Sequence, residues 1–348
     1  MKVLVLHAYS ASNLGDGLLV RETLALIRSA FGDEVEITIA ASHPSTFANI
    51  GARVLNSMPG WRGYNATYLK TLFNINDFDV VIGVGGGYLR AGNPMEALKT
   101  AIIHGPQLAA ASARGRGTVY LPQSVGPARG GTRNLLSRGL QRLQTVMFRD
   151  DRSISEFRDV TAIRVPDLAT TNISRDTEKG VPSSVPVLSI RAIRNRVPDA
   201  IYGMAERLGG YDAYIQSTSS GNDDRPATKS LDPRRILSRS DLLSLEGPRR
   251  VVVAVRLHAA LMALQAGHYV VHLAYERKGF GAFADLGLSN YVHNVNTFDV
   301  EKVLQQVQAL LTDERCRNEY EELLLGSDEV RRSMRQRYVD LIRQAAAA

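Results

Sequence analysis

Twice along this chain, short aliphatic and β-branched runs alternate with longer segments of helical periodicity. Residues 2–7, 35–41, 80–84, 117–121 and 145–149 read as buried strands. Residues 16–30, 95–111 and 133–143 between them carry apolar side chains at helical spacing. Strands separated by helices imply a parallel sheet covered on both faces. The pattern pauses over 171–186, where ISRDTEKGVPSSVP is polar, Pro-containing and nonperiodic, the composition of a domain linker. It restarts with strands at 187–191, 211–217, 250–255, 269–273 and near Tyr291, and with helices at 200–208 and 300–311. A last helix, 328–347, presents Val330, Met334, Tyr338 and Ile342 at near-helical spacing. The expected fold class is α/β, two Rossmann-like domains of residues 1–174 and 175–348 facing a cleft, with ligand outside the carboxyl ends of the strands.

Composition narrows the function classes. With 348 residues, 44% hydrophobic and 22% charged, the chain can bury a large core without disulfides. Its single cysteine, Cys316, cannot pair within the chain, which points to a reducing compartment. The N-terminal apolar run, 3–6, is too short for a signal peptide, and no window approaches the roughly 20 apolar residues of a membrane span. A cytoplasmic protein is expected. The net charge of +7 is spread along the chain, as a solvated surface or an attraction to acidic substrates would require. Aromatics are not interleaved with the basic residues, so no nucleic-acid partner is expected.

The unusual residues fall where strands end. Asn13, Gly15 and Asp16 follow the first strand and suit a tight turn, with Asp16 as helix cap or, alternatively, as a base or hydroxyl ligand. This loop lacks both P-loop and dinucleotide-binding spacing. Gly85, Gly86 and Gly87 follow the next strand run, where backbone amides can approach an anion or simply turn. Gln123 and Ser124 supply neutral donors and acceptors of the sort that hold sugar hydroxyls. Arg149 ends a strand and is expected to point toward the cleft mouth, beside a helix cap at Asp151 or Ser153, and Asp167 ends another. In the second series Arg191 and Gln216 follow strands. Arg256, with its planar fork, and His258, at a helix start, follow the strand at 250–255. Lys278 lies just past the neighbouring strand, so three cationic side chains converge on a small anion. No His/Cys/Asp cluster has metal-ligand spacing.

The motifs NLGDGLL (13–19), GVGGGY (83–88), QSVGP (123–127), FRDDRS (148–153), VPDLA (165–169), SIR (189–191), VRLHAALMAL (255–264) and YERKGF (275–280) occur in the order found in polysaccharide pyruvyl transferases, and the chain resembles that family from about residue 1 to about 315. The resemblance implies a GT-B-like fold, with the acceptor on the N-terminal side, phosphoenolpyruvate on the C-terminal side and the last helix crossing back. It implies transfer of pyruvate from phosphoenolpyruvate to two hydroxyls of a sugar in a cell-surface glycan or glycolipid of the bacterial envelope, giving a cyclic ketal and phosphate. Arg149, His258 and Lys278 match the family's donor-binding positions, with Arg256 in the same motif and Arg191 added as a further donor-side cation. His258 is the candidate acid or base, and Asp16 or Asp167 the acceptor of a hydroxyl proton. Asn13, Gly86, Gly87, Gln123 and Ser124 are assigned to the acceptor sugar, with further contacts expected from residues 57–76 around Trp61. No metal and no cofactor besides phosphoenolpyruvate as donor substrate are implied. The partners are a glycan or lipid-linked acceptor, with peripheral association at the inner face of the membrane. The alternatives are a GT-B nucleotide-sugar glycosyltransferase of cell-envelope glycan synthesis, which would carry an acidic residue for the donor ribose, and a non-enzymatic binding module.

Overall fold

The computed structural model describes residues 1–173, 180–219 and 222–348. The centre of the expected linker, and the boundary expected at 174/175, lie outside the described residues. The chain forms two compact units, one of Met1–Ala11, Gly15–Leu168 and Ser333–Ala348, the other of Ser12–Leu14 and Ala169–Arg332.

The first unit carries a sheet of seven strands: β1 (Lys2–Ala8), β2 (Glu36–Ala41), β3 (Arg53–Asn56), β4 (Val80–Gly83), β5 (Thr118–Gln123), β6 (Thr145–Phe148) and β7 (Ile163–Arg164). All pair in parallel, in the order β3-β2-β1-β4-β5-β6-β7, so the winding reverses between β1 and β4. The strands expected from 2–7 to 145–149 are all present within two residues. β3 escapes sequence reading because Arg53–Asn56 is short and polar at both ends, while β7, the strand expected to end at Asp167, ends at Arg164.

β1 ends on an unusual residue. His7 has φ +69°, rare for a residue with a Cβ, and the pairing with β2 slips between Val5 and Ala8. The buried ring is held on several sides. Nε2 lies 2.6 Å from the Tyr120 hydroxyl and Nδ1 3.2 Å from His104 Nδ1, while Tyr88 stacks at 4.5 Å. The His7 amide donates to Gln107 Oε1 at 2.7 Å. His104 comes from a π-helical turn, Thr100–His104, that interrupts the expected helix between Pro94–Lys99 and Gly105–Arg114. Burial holds both imidazoles neutral: His104 is lowered to about 4, and His7 well below its ordinary value, with His104 adding to the effect.

The last helix, Asp328–Ala346, contributes its C-terminal part to this unit. Tyr338 and Ile342 are buried as expected, and the Tyr338 hydroxyl donates to the Pro166 carbonyl at 3.1 Å. Val330 departs from the expected stripe, being 57% exposed. Arg331 turns inward instead, because its guanidinium caps the carbonyls of Leu324 and Ile173 and pairs with Asp328.

The second unit carries β8 (Val187–Ser189), β9 (Asp212–Tyr214), an antiparallel hairpin of β10 (Thr218–Ser219) and β11 (Asn222–Asp223), then β12 (Ile236–Leu237), β13 (Val251–Ala254), β14 (Tyr269–Ala274) and β15 (Val292–Asn294). Six of these make a parallel sheet in the order β12-β9-β8-β13-β14-β15, with its reversal between β8 and β13. The central strands β13 and β14 are wholly buried and, apart from Tyr269 and His272, aliphatic, as two helical layers demand. His272 on β14 is also buried, with Nδ1 2.8 Å from the Ala254 carbonyl on β13, and its ring stacks on Phe283. Burial lowers it to about 4, and the charge of Lys278 acts in the same direction. The helix Arg277–Asp285 lies so close to β14 that a Cβ on Gly279 would stand 2.5 Å from His272 Nε2 and 2.9 Å from Ala274 Cβ.

Two predictions follow from this packing. His7, His104 and His272 are protonated only below their lowered values in the fold, but near 6.5 when unfolded. The unfolded chain therefore binds more protons between about pH 6.5 and 4, and stability falls as pH falls through that window. Thermal melts at pH 7 and pH 5 should show the loss, and His104→Gln should make it shallower; an unchanged midpoint would contradict it. Gly279→Ala should destabilise the fold by about 1–3 kcal/mol in denaturant titrations, the cost of overpacking against β14.

Candidate functional site

In a doubly wound sheet the loops at the reversal splay apart and leave room for a ligand. In the second unit the reversal lies between β8 and β13, and arginines follow both. Arg256, one residue after Val255, forks onto Asp224: Nε to Oδ2 is 2.6 Å and one amino group to Oδ1 is 2.7 Å. That amino group also donates to the Asn222 carbonyl at 3.0 Å. Arg191, after β8, reaches the Asn222 side chain at 3.5 Å and donates to the Tyr275 hydroxyl at 2.9 Å, with its guanidinium 4.9 Å from the centre of the Tyr275 ring. The short hairpin β10–β11 thus joins the two arginines. Burial raises the Asp224 carboxyl, opposed by the hydrogen bonds and charge of Arg256 and by the charge of Arg191.

Next to this cluster two helices start from adjacent strands. β13 and β14 run in register, Ala254 opposite His272, so their following turns leave the same edge of the sheet. The helix Leu257–Gln265 has Arg256 at its cap and His258 as its second residue, half-buried. The helix Arg277–Asp285 has Glu276 at its cap and Lys278 as its second residue. Lys278 Nζ pairs with Glu276 at 2.7 Å, both partly exposed. First-turn amides and the positive dipole ends of both helices favour an anion.

The strand ends of the first unit are arranged differently. Arg149 was expected to point outward, yet it is buried: one amino group pairs with Asp167 at 2.5 Å and Nε donates to Ser124 Oγ at 2.8 Å. Its other amino group lies 3.5 Å from where a Gly87 Cβ would stand, so the glycine leaves that side of the guanidinium uncovered by a side chain. Gln123 is fully buried, and its amide holds the Val84 carbonyl at 2.6 Å, so it ties β4 to β5 rather than facing a sugar. The Gly86 amide is likewise committed, to the Pro122 carbonyl at 3.1 Å, while Gly87 is exposed. Asp16 lies inside the first turn of the helix Leu14–Phe31 and is not its cap, because the helix begins two residues earlier than the periodicity indicates. Asn13 groups with the second unit, paired with Ser217 in an isolated antiparallel bridge. The cap of the helix Asp151–Glu156 is Asp150, whose side chain accepts from the Ser153 amide, in place of the expected Asp151 or Ser153.

The structure brings Arg191 and Arg256 together at Asn222 and sets His258 and Lys278 at neighbouring helix starts. Sequence reading missed Asn222 and Asp224, and gave no role to Tyr275 and Glu276 although both stand in the motif at 275–280. The one available signal was an acidic run, Asp223 and Asp224, in a polar stretch with no nearby motif. The expected all-cationic site is corrected accordingly: Asp224 and Glu276 accompany its cations. Among the described residues no group of His, Cys, Asp and Glu could hold a metal ion.

Comparison with known proteins agrees with both fold and motifs. Among solved structures, the chain is similar to Neisseria meningitidis UDP-GlcNAc 2-epimerase bound to UDP-GlcNAc, with TM-score 0.54 and 12% identity over 98% of this chain and 100% of that one. It is also similar to Acinetobacter baumannii MurG, with TM-score 0.50 and 15% identity over 99% and 100%. A mutant O-GlcNAc transferase of Thermobaculum terrenum gives TM-score 0.52 and 12% identity over 100% and 68%. At such identities these likenesses speak for the fold alone, which is GT-B-like with two parallel α/β units. No curated protein matches the sequence significantly. The sequence profile of one family, polysaccharide pyruvyl transferase, matches residues 13–277, from the loop after β1 to the start of the Lys278 helix, and by that match the chain belongs to the polysaccharide pyruvyl transferase family.

Proposed function

We propose that the protein transfers pyruvate from phosphoenolpyruvate to two hydroxyls of a sugar in a cell-surface glycan or glycolipid, forming a cyclic ketal and releasing phosphate. The observation that carries this reading is the gathering of Arg191, Arg256, His258 and Lys278 at three neighbouring strand ends in one unit. Phosphoenolpyruvate carries about three negative charges, and such a ligand needs several cations together with helix-start amides.

The chemistry distributes over these groups. A proton delivered to the methylene carbon turns it into the methyl group and leaves C2 electron-poor. The first sugar hydroxyl attacks C2, the bond from C2 to the phosphate oxygen breaks, and the second hydroxyl closes the ring on C2. Two hydroxyl protons are lost in all; one balances the proton gained by the methyl group and the other leaves with phosphate. His258 is assigned the proton transfer to carbon, since imidazole both gives and takes protons near neutral pH. Lys278 releases Glu276 to bind the departing phosphate, and Arg191 holds the carboxylate. Arg256, forked on Asp224, keeps this cradle in place and contributes its charge from behind. Arg149, matched to the donor by resemblance, lies in the first unit beside Ser124, and the two are assigned with Asp16 to the acceptor side.

A second reading is hexosyl transfer from a nucleotide sugar, favoured by one observation: Glu276, just after β14, is a partly exposed carboxylate of the kind a donor ribose calls for. Incubation with phosphoenolpyruvate and a panel of glycosides, followed by NMR of the product, should give a ketal methyl signal and one phosphate per product. Hexose transfer from labelled UDP-sugars without pyruvate incorporation would overturn the pyruvyl reading. His258→Ala should keep the fold and lower kcat by about 100- to 10,000-fold, the usual yield of general acid–base catalysis. Near-normal turnover in this variant would remove His258 from the mechanism.

A further inference from the structure

Away from the strand ends, the first unit carries an exposed apolar face. Trp61 is 88% exposed, and Met95, Leu98 and Ile102 are 62%, 55% and 37% exposed. The last three stand at i, i+3 and i+7 on one helical run, and so share one face of it. Trp61 sits with Arg62 at the tip of a two-residue turn, closed by mutual backbone bonds between Gly60 and Gly63 of 2.9 and 3.0 Å. The Tyr64 hydroxyl, just beyond that turn, donates to the Ile102 carbonyl at 2.6 Å and so ties the Trp61 tip to the helical stripe. Burying the stripe inside its own unit would have been the usual outcome for such residues; instead the run buries Thr100, His104 and Gln107 on its other side.

We propose that this face docks on an anionic lipid surface. The charge around the patch chooses this partner. Arg62, Lys70, Arg90 and Lys99 are exposed within residues 57–76 and 88–105, and Glu96, already paired with Arg90 and with the Gly92 amide, is the one acid in those segments. Arg62 lies over the Trp61 ring at 4.3 Å, so cation and indole arrive at a surface together. Apolar side chains entering the headgroup layer, rimmed by basic residues and led by a tryptophan, have the composition of an interfacial anchor. A second copy of the same face would set Arg62 and Lys99 against their own kind with no acid to match them. No helix among the described residues is long and apolar enough to cross a membrane, so the contact is peripheral. Docking at this face stands apart from the identity of the donor, and either can fail without the other.

Trp61 is the one tryptophan of the chain, so its emission reports this face alone. Titration with phosphatidylcholine vesicles containing phosphatidylglycerol should shift the emission to the blue and pull the protein into the floated fraction, with binding weakened by salt. Pure phosphatidylcholine should bind far less. Arg62→Glu with Lys99→Glu should weaken binding to the anionic vesicles by about 30-fold or more, at roughly fivefold for each basic residue lost, with an unchanged melting curve. Leu98→Ser with Ile102→Ser should weaken it without changing charge. Three results overturn the proposal: no flotation, flotation without a shift of the Trp61 emission, or equal binding to neutral vesicles. A dimer in light scattering that Leu98→Ser with Ile102→Ser dissolves would overturn it too, assigning the face to a second copy.

Discussion

The fork of Arg256 on Asp224 is the contact on which the second unit's strand-end cluster depends. Neither side chain would be stable where it is without the other, because burial disfavours each charge and only paired, hydrogen-bonded charges persist there. Burial raises the Asp224 carboxyl while Arg256 opposes it, so the pair is held by two short charge-assisted bonds. Its position makes it more than a local clamp. Arg256 ends the β13 turn, Asp224 follows the β10–β11 hairpin, and the bond from Arg256 to Asn222 brings that hairpin to Arg191 after β8. The pairing of β8 with β13 already brings Arg191 and Arg256 to one edge of the sheet, and the ion pair fixes the β10–β11 hairpin against both.

Ion pairs at the strand ends differ in how easily an incoming anion could exchange with them. Arg149 and Asp167 are almost wholly buried, and separating them would leave charges in a medium that solvates them poorly. Lys278 and Glu276 are both partly in water, where such a pair contributes little and either charge can be rehydrated. Of the cations considered, Lys278 is then the one whose counter-ion a phosphate can displace at small cost. Arg256 and Arg149 keep their partners and act by position. A site read from sequence as three positive charges is thus a set of cations accompanied by Asp224 and Glu276, in which the Lys278–Glu276 pair is the more easily exchanged.

The long apolar strands and their helices are legible because periodicity and length are local properties, and the expected strands are present within two residues of their places except the one at 211–217, which ends at Tyr214. The ends of strands are legible too, which is why Arg191, Arg256, His258 and Lys278 group together in the sequence. What sequence could not show was pairing. Asp224 is 32 positions from Arg256, in a hairpin whose strands are two residues each, and nothing in the local pattern of residues 218–224 distinguishes it from a solvent loop. Gln123 and Arg149 show the same limit: their chemistry suits a ligand, while their bonds to the Val84 carbonyl and to Ser124 and Asp167 leave no local trace in the sequence. Asp16 and Val330 show the limit of periodicity at helix ends, where capping and tertiary partners override it.

His272 bears on this pair through Lys278. It lies under the helix start that carries Lys278, close enough for the lysine charge to disfavour its protonation. Were this imidazole charged, a second positive group would sit below the site, and the repulsion would press on Lys278 and loosen the helix packed at Gly279. Burial between β13, Phe283 and that glycine prevents this by keeping the ring neutral with Nδ1 against the Ala254 carbonyl. The absence of a side chain at position 279 and the low basicity of His272 are thus two parts of one arrangement. It allows the helix to start close to β14, and so places Lys278 beside the turn that carries Arg256 and His258.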